Sequence, residues 1–183
     1  DRSDIPLVTI DPPGSMDLDQ ALHFERRDGG GYRVHYAIAD VAAFVAPGGA
    51  LDAEAQRRGE TLYGADSRIP LHPASLSEGA ASLLPDQLRP ALLWTIELDA
   101  GGEIGAVDVR RARVRSRARL DYAGVQQQLD AGTADPLWTL VREVGELRKQ
   151  REQVLGGSNR ARPEQEISVV NVHWRLTYRA NHP

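Results

Sequence analysis

Short apolar runs broken by glycine and proline set the elements expected along this chain. Leu7-Val8-Thr9-Ile10 reads as a buried strand, and Asp11-Pro12-Pro13-Gly14 stops it because two prolines and a glycine force a loop. Ala21 to Glu25 and Tyr32 to Ala39 read as strands joined by the turn Asp28-Gly29-Gly30-Gly31. After Pro47-Gly48-Gly49, Leu51 to Tyr63 has helical composition, with Asp52 and Glu54 in its first turn, where acids suit the helix dipole. Residues 64–90 are loop-rich, with prolines at 70, 73, 85 and 90, and a long irregular stretch inside a compact domain points to function. Leu92 to Asp99 and Glu103 to Arg115 read as a long hairpin across Ala100-Gly101-Gly102. Tyr122 to Leu129 and Leu137 to Leu155 read as helices, the second with apolar positions 137, 140, 141, 144 and 147 on one face. Gly156-Gly157-Ser158 ends it, and Ile167 to Val172 with Trp174 to Tyr178 suggest a last hairpin. Hairpins followed by helices predict an α+β fold, a mainly antiparallel sheet with packed helices.

Composition narrows the class. At 183 residues, 41% hydrophobic and 26% charged, the chain can bury one proper core. No apolar run approaches the roughly 18 residues of a membrane span, so no membrane partner is expected. The polar start Asp1-Arg2-Ser3-Asp4 has no initiator Met, and no capping element follows Asn181-His182-Pro183. Residues 1–183 are therefore expected to be the front part of a larger domain in a longer protein. Zero cysteines exclude disulfides and thiolate metal sites, which fits a cytoplasmic protein. The net charge of −4 excludes a uniformly basic coat, although local distribution matters more than the total. Of the 22 basic residues only Lys149 is a lysine. Arginine makes the better fork for phosphate, but a GC-rich genome produces the same bias.

The densest chemistry lies in Ile10-Asp11-Pro12-Pro13-Gly14-Ser15-Met16-Asp17-Leu18-Asp19-Gln20. In an extended backbone Asp17 and Asp19 project to one side, and the Pro-Pro-Gly loop can fold Asp11 back towards them. Three carboxylates brought that close repel one another unless a cation neutralises them, and hard oxygen donors suit Mg²⁺ or Mn²⁺ rather than zinc. Such a site can polarise a phosphodiester and orient a water. The alternative is a solvated acidic loop of turn-forming aspartates. An EF-hand is excluded, since the glycine and glutamate its loop requires are missing.

The string Thr-Ile-Asp-Pro-Pro-Gly-Ser-Met-Asp-Leu-Asp-Gln-Ala-Leu resembles the signature of the ribonuclease II and ribonuclease R family, the RNB domain. That signature has an aspartate, five residues, then an Asp-x-Asp-Asp group. Ala37-Ile38-Ala39-Asp40-Val41, Arg58 to Tyr63, Ile69 to Pro73, Leu76-Ser77-Glu78 and Ser82-Leu83-Leu84-Pro85 resemble further blocks in the family's order, and Arg117 to Tyr122 follows more weakly. The resemblance implies a 3′-to-5′ exoribonuclease that hydrolyses single-stranded RNA to 5′-mononucleotides with Mg²⁺. It also implies RNA-binding domains flanking this chain. Asp11, Asp17 and Asp19 match three of four catalytic aspartates, and they would be both catalytic residues and metal ligands. Gln20 stands at the fourth position. Its carbonyl oxygen can serve a metal but brings no charge, which motivates the alternative of a catalytically weakened RNA-binding protein. Tyr63 matches an aromatic that stacks on a terminal base, and Tyr122 a second cavity tyrosine; half-buried packing is the alternative for both.

Arg110 to Arg119 holds six arginines and no acid, and in a strand positions 111, 113, 115, 117 and 119 share a face. Arg111 and Arg113 are thus RNA-binding candidates, with Arg68 a further phosphate candidate. The alternative is a solvated strand face paired with acids such as Glu97 and Asp99 across the hairpin. The histidines show no metal-ligand spacing, so His23 and His35 are expected to be partly buried polar residues. Trp94, Trp138 and Trp174 are expected in the core.

Overall fold

The computed structural model describes residues 1–64, 67–157, 164–171 and 173–179. Strands β1 (Leu7–Ile10), β2 (Gln20–Arg26), β3 (Tyr32–Ala39), β6 (Leu88–Leu98) and β7 (Ile104–Leu120) close into a barrel. Neighbours pair antiparallel from β1 round to β7, and one parallel seam, β7 against β1, completes the ring. The fold is α+β, as the pattern of hairpins and helices predicts. Closure is the feature that pattern does not carry. It arises because β7 is 17 residues long. Its first part pairs with β6, and its last residues pair with β1 through Leu7↔Ser116 and Ile10↔Leu120.

Between β3 and β6 lie helix α1 (Ala50–Arg58), a small hairpin of β4 (Leu62–Tyr63) and β5 (Arg68–Ile69), and a π-helical turn at Leu76–Ala80. The helix expected to reach Tyr63 stops at Gly59, whose φ of +77° is left-handed and cheap only for glycine. Only Asp52 of the two expected acids lies in its first turn; Glu54 instead pairs with Arg57 and Arg58. Residues 64–90 are thus less irregular than their prolines suggest. Helices α2 (Tyr122–Asp130) and α3 (Pro136–Val154) follow β7. Strands β8 (Glu164–Val170) and β9 (His173–Arg179) pair with each other; the expected strand residue Val172 lies outside the described residues. Trp138 is buried, but Trp174 is 59% exposed on this hairpin, a correction to its expected core position. Among the described residues β8 and β9 pair with no third strand, so nothing in the pairing covers that face.

Two apolar clusters hold the barrel. Its interior is filled by Leu7, Ala21, Ala37, Ala91, Leu93 and Val114, and Leu18 and Leu83 plug one end. Small alanines face one another across β2, β3 and β6, which leaves room for the leucines. Outside, Tyr32, Val34 and Leu98 pack on Val144 of α3, with Leu140 and Leu147 beside it, as the apolar spacing of that helix requires. No described helix is long and apolar enough to cross a membrane.

The opposite end of the barrel is polar. His23 and His35 stack there with centroids 6.4 Å apart, and His35 is 5% exposed. Burial, the largest cause, holds both rings below the ordinary histidine range against the opposing pull of Glu25. A base whose folded pKa is depressed binds its proton less readily than the unfolded chain does. Its stabilising contribution is therefore present above the ordinary value and lost as pH falls below it. Denaturation midpoints should drop between neutral pH and pH ~5, and NMR should show both rings protonating below about 6.5. A His35 midpoint at or above that value would contradict this account.

Candidate active site

Each aspartate of the acidic segment is positioned by a different part of the barrel end where Leu18 and Leu83 sit. Asp11 extends β1, and its N–H donates to the Leu120 carbonyl at 3.1 Å, continuing the seam with β7. Pro12 and Gly14 then turn the chain: Ser15 N–H donates to Pro12 O, and Gly14 takes a left-handed φ of +88°. Asp19 sits at the start of β2, where its carbonyl accepts from Ala39 N–H at 2.8 Å. Between them Asp17 is held through its neighbours. The Ser82 hydroxyl donates to Met16 O at 2.6 Å and accepts from Leu18 N–H at 3.0 Å. Leu83 N–H donates to Leu18 O at 2.8 Å. Ser82 is 1% exposed, and Arg89 donates to its carbonyl at 3.0 Å. With Leu18 buried, Asp17 and Asp19 emerge on the opposite side, as period-two alternation expects.

Asp17 and Asp19 line a cavity of about 260 Å³ together with Tyr63, Arg68, His72 and Ser77. Tyr63 is 76% exposed because the early helix stop frees it on the β4–β5 hairpin. Arg68 pairs with Asp17 at 3.3 Å and also with Glu78. Asp11 does not line this cavity, but it feels both neighbours. Its carboxyl is pushed up by burial first, then by Asp17 and Asp19, against a hydrogen bond from Ser15. Among the described residues no three acidic or histidine side chains are gathered closely enough to ligate one ion. The carboxylates therefore stand at electrostatic rather than ligating separation. In chemical type the carboxylates suit a hard divalent cation, and Asp17 and Asp19 both act on Asp11, with one arginine beside Asp17.

The remaining candidates divide. Gln20 projects from the same strand end, but its carbonyl oxygen already accepts from the Tyr36 hydroxyl. Tyr36 is in turn raised by burial, Asp19 and Tyr122, which places Tyr122 near this end. Tyr122 lines a separate, largely apolar cavity of about 420 Å³ between α2 and α3. Arg111 and Arg113 lie on the outer face of β7, and Arg111 pairs at 3.2 Å with Asp40, which is 4% exposed. Ser82, Glu78 and Arg119 are site residues that residue chemistry alone does not mark. Arg119 donates to Ser15 O at 3.0 Å. The sole sequence signal for Ser82 and Glu78 is their place in the matched blocks.

A larger cavity, about 600 Å³, is at the polar barrel end and includes His23, Glu25, Arg33 and His35. Its charges compensate one another: Arg33 binds Glu25 at 2.8 Å and Glu97 at 3.0 Å. The smaller cavity is the one lined by the signature aspartates, and there two acids, Asp17 and Glu78, share a single arginine.

Similar proteins are known. The RNB domain matches residues 1–177. Exoribonuclease 2 of Vibrio vulnificus is 32% identical over 160 residues, which are 84% of this chain and 24% of that protein. The structure of Mycoplasma genitalium RNase R in complex with double-stranded RNA is similar with a TM-score of 0.87 at 26% identity, covering 97% of this chain and 33% of that one. Yeast Ssd1, described as a pseudonuclease, shares the fold with a TM-score of 0.70 at 20% identity, covering 80% of this chain and 18% of its own. The chain spans about a quarter of the length of the curated relative. It belongs to the RNB-domain family of the RNase II and RNase R exoribonucleases.

Proposed function

We propose that the protein containing this chain is a 3′-to-5′ exoribonuclease that hydrolyses single-stranded RNA to 5′-mononucleotides. The observation that carries this reading is the convergence of three signature aspartates on one barrel end: Asp17 and Asp19 line a cavity with exposed Tyr63, and Asp11 lies near enough to both that they add to the effect of burial in raising its carboxyl. Asp11, Asp17 and Asp19 would hold Mg²⁺ or Mn²⁺, with Gln20 contributing only if it releases Tyr36. A divalent cation bound there supplies charge neutralisation for the phosphodiester and an activated water. Tyr63 offers a π face on which any terminal base can stack, giving affinity without sequence readout. Arg68, poised between Asp17 and Glu78, can turn its guanidinium to a phosphate oxygen. Tyr122 would contact RNA at the neighbouring surface. RNA-binding domains in the rest of the protein would deliver the strand.

A second reading is an RNB-fold RNA-binding protein with weakened catalysis. It rests on Gln20, the neutral residue where the family signature has a fourth aspartate. One assay separates the two. Full-length protein with 5′-labelled single-stranded RNA and Mg²⁺ should give a ladder shortening from the 3′ end. Chelation should stop it, and Asp19→Asn should slow it by about 10²–10³-fold, the scale of losing one preorganised electrostatic group. Binding without shortening would support the second reading.

Two further variants test the site's construction. Gln20→Asp should raise the cleavage rate or lower the Mg²⁺ concentration needed; no change in either would refute the missing-charge account. Ser82→Ala leaves the Met16 carbonyl and Leu18 N–H unpaired in a buried place, at a cost of about 1–3 kcal/mol. It should raise the Mg²⁺ concentration for half-maximal cleavage while RNA affinity without metal stays unchanged. Parallel loss of both would make Ser82 a general fold residue instead.

A further inference from the structure

The arginines of β7 settle a choice that the sequence leaves open. Their row alternates as a strand requires as far as Arg117: Arg113, Arg115 and Arg117 are exposed, while Val114 and Ser116 between them are buried. A bulge against β1 then shifts the register, so that exposed Arg119 pairs with buried Thr9 and leaves the outer face for the barrel end. The acids that could have compensated the row are engaged elsewhere. Glu97 binds Arg27 and Arg33, and Asp99 accepts from Gly101 and Glu103 N–H in the β6–β7 turn. Across the ladder Arg113 faces Pro90 and Arg115 faces Leu88, so the register supplies no acid either. Among the described residues, none of these four guanidiniums has an acidic side-chain partner. Arg117 and Arg119 instead donate to the carbonyls of Asp4 and Ser15. Arg111, one step earlier, is the exception, being tied to buried Asp40. An uncompensated cationic row in a chain of net charge −4 is costly self-repulsion unless an anion meets it.

The row also has a direction. β7 runs towards the barrel end that carries the aspartates, and Arg119 touches the Ser15–Met16 segment immediately before Asp17. Alternate residues of a strand lie about 6.6 Å apart. That step is of the same order as the one between successive phosphates of an extended single strand. We propose that the outer face of β7, from Arg113 to Arg117, is a track for the sugar–phosphate backbone of single-stranded RNA upstream of the end held at the aspartates, with Arg119 beyond the bulge at the barrel end. This rests on the nuclease reading of that site and adds the route by which the strand reaches it. The contacts are to phosphate, so they confer register and affinity without base preference.

The test uses full-length protein carrying Asp19→Asn, so that RNA is bound and not consumed. Affinities are measured across a salt series for 5′-labelled oligoadenylates of about four and about twenty nucleotides, lengths that bracket a short and an extended footprint. Adding Arg113→Gln and Arg115→Gln should weaken the longer RNA several-fold. It should also make the dependence of log affinity on log salt shallower by about 1.4, about 0.7 for each phosphate that is no longer neutralised. The short RNA should bind as before. Arg148→Gln with Arg151→Gln, the same change of charge placed where α3 meets the β6–β7 turn, should leave the slope unaltered. An unchanged slope in the β7 variant, while the protein with Asp19 still shortens RNA, overturns the track and leaves the nuclease reading standing. Should the parent protein neither bind nor shorten RNA, both fall together.

Discussion

The parallel pairing of β1 with the end of β7 is the constraint on which the rest depends. β1 has four residues and is held between β2 and β7, so neither of its sides is left as a sheet edge. That seam fixes Asp11 through Leu120, while the pairing of β2 with β3 fixes Asp19 through Ala39. The chain between must then bridge two anchored points, and Ser82 sets its path by holding the peptide groups on both sides of Asp17. Burial of Asp11 and, after it, repulsion from Asp17 and Asp19 raise its carboxyl and work against this arrangement. It persists because buried hydrogen bonds and the Leu18 plug over-determine the backbone.

The two ends of the barrel handle charge in opposite ways. At the polar end Glu25, Arg33 and Glu97 form a closed set of ion pairs round the stacked histidines, so the larger cavity carries little unspent potential. At the other end acids gather on the β1–β2 loop, and uncompensated arginines line the outer face of β7 leading to it. There Arg68 bridges Asp17 and Glu78, while among the described residues Arg113 and Arg115 stand without acidic partners on the outer wall. An unpaired cationic face contributes little to folding, and on the proposed reading it serves a bound anion.

Much of this is legible in the residues. β1 and β3 fall where apolar patterning puts them, and the face of α3 that packs on the barrel is the one its spacing marks. Asp11, Asp17 and Asp19 are readable as a group because Pro12-Pro13-Gly14 turns the chain between them. What escapes is long-range. Barrel closure joins residues more than a hundred positions apart and leaves no periodic trace. The end of α1 is hidden because Thr61-Leu62-Tyr63 continues an acceptable helical composition past Gly59, and composition does not register a left-handed glycine. Ser82 looks like any loop serine, and its role exists only once Met16 and Leu18 lie beside it. The β7 arginines are visible but ambiguous. Only the cross-strand register, which sets Pro90 and Leu88 opposite them, decides between a paired face and a bare one.

The charge balance at the aspartate end also bears on the two functional readings. Asp11, Asp17, Asp19 and Glu78 stand there against Arg68 and Arg119, a surplus of negative charge before any substrate arrives. An RNA phosphate adds to that surplus, and at these separations like charges oppose binding strongly unless a cation intervenes. A domain that only bound RNA would be better served by losing the aspartates than by orienting them with buried hydrogen bonds. Gln20 lightens the surplus by one unit relative to the four-aspartate signature, and its engagement with Tyr36 keeps it in place without reversing the sign. On the proposed reading the retained acids are partners of a divalent ion, and the arginines of β7 draw the strand towards it.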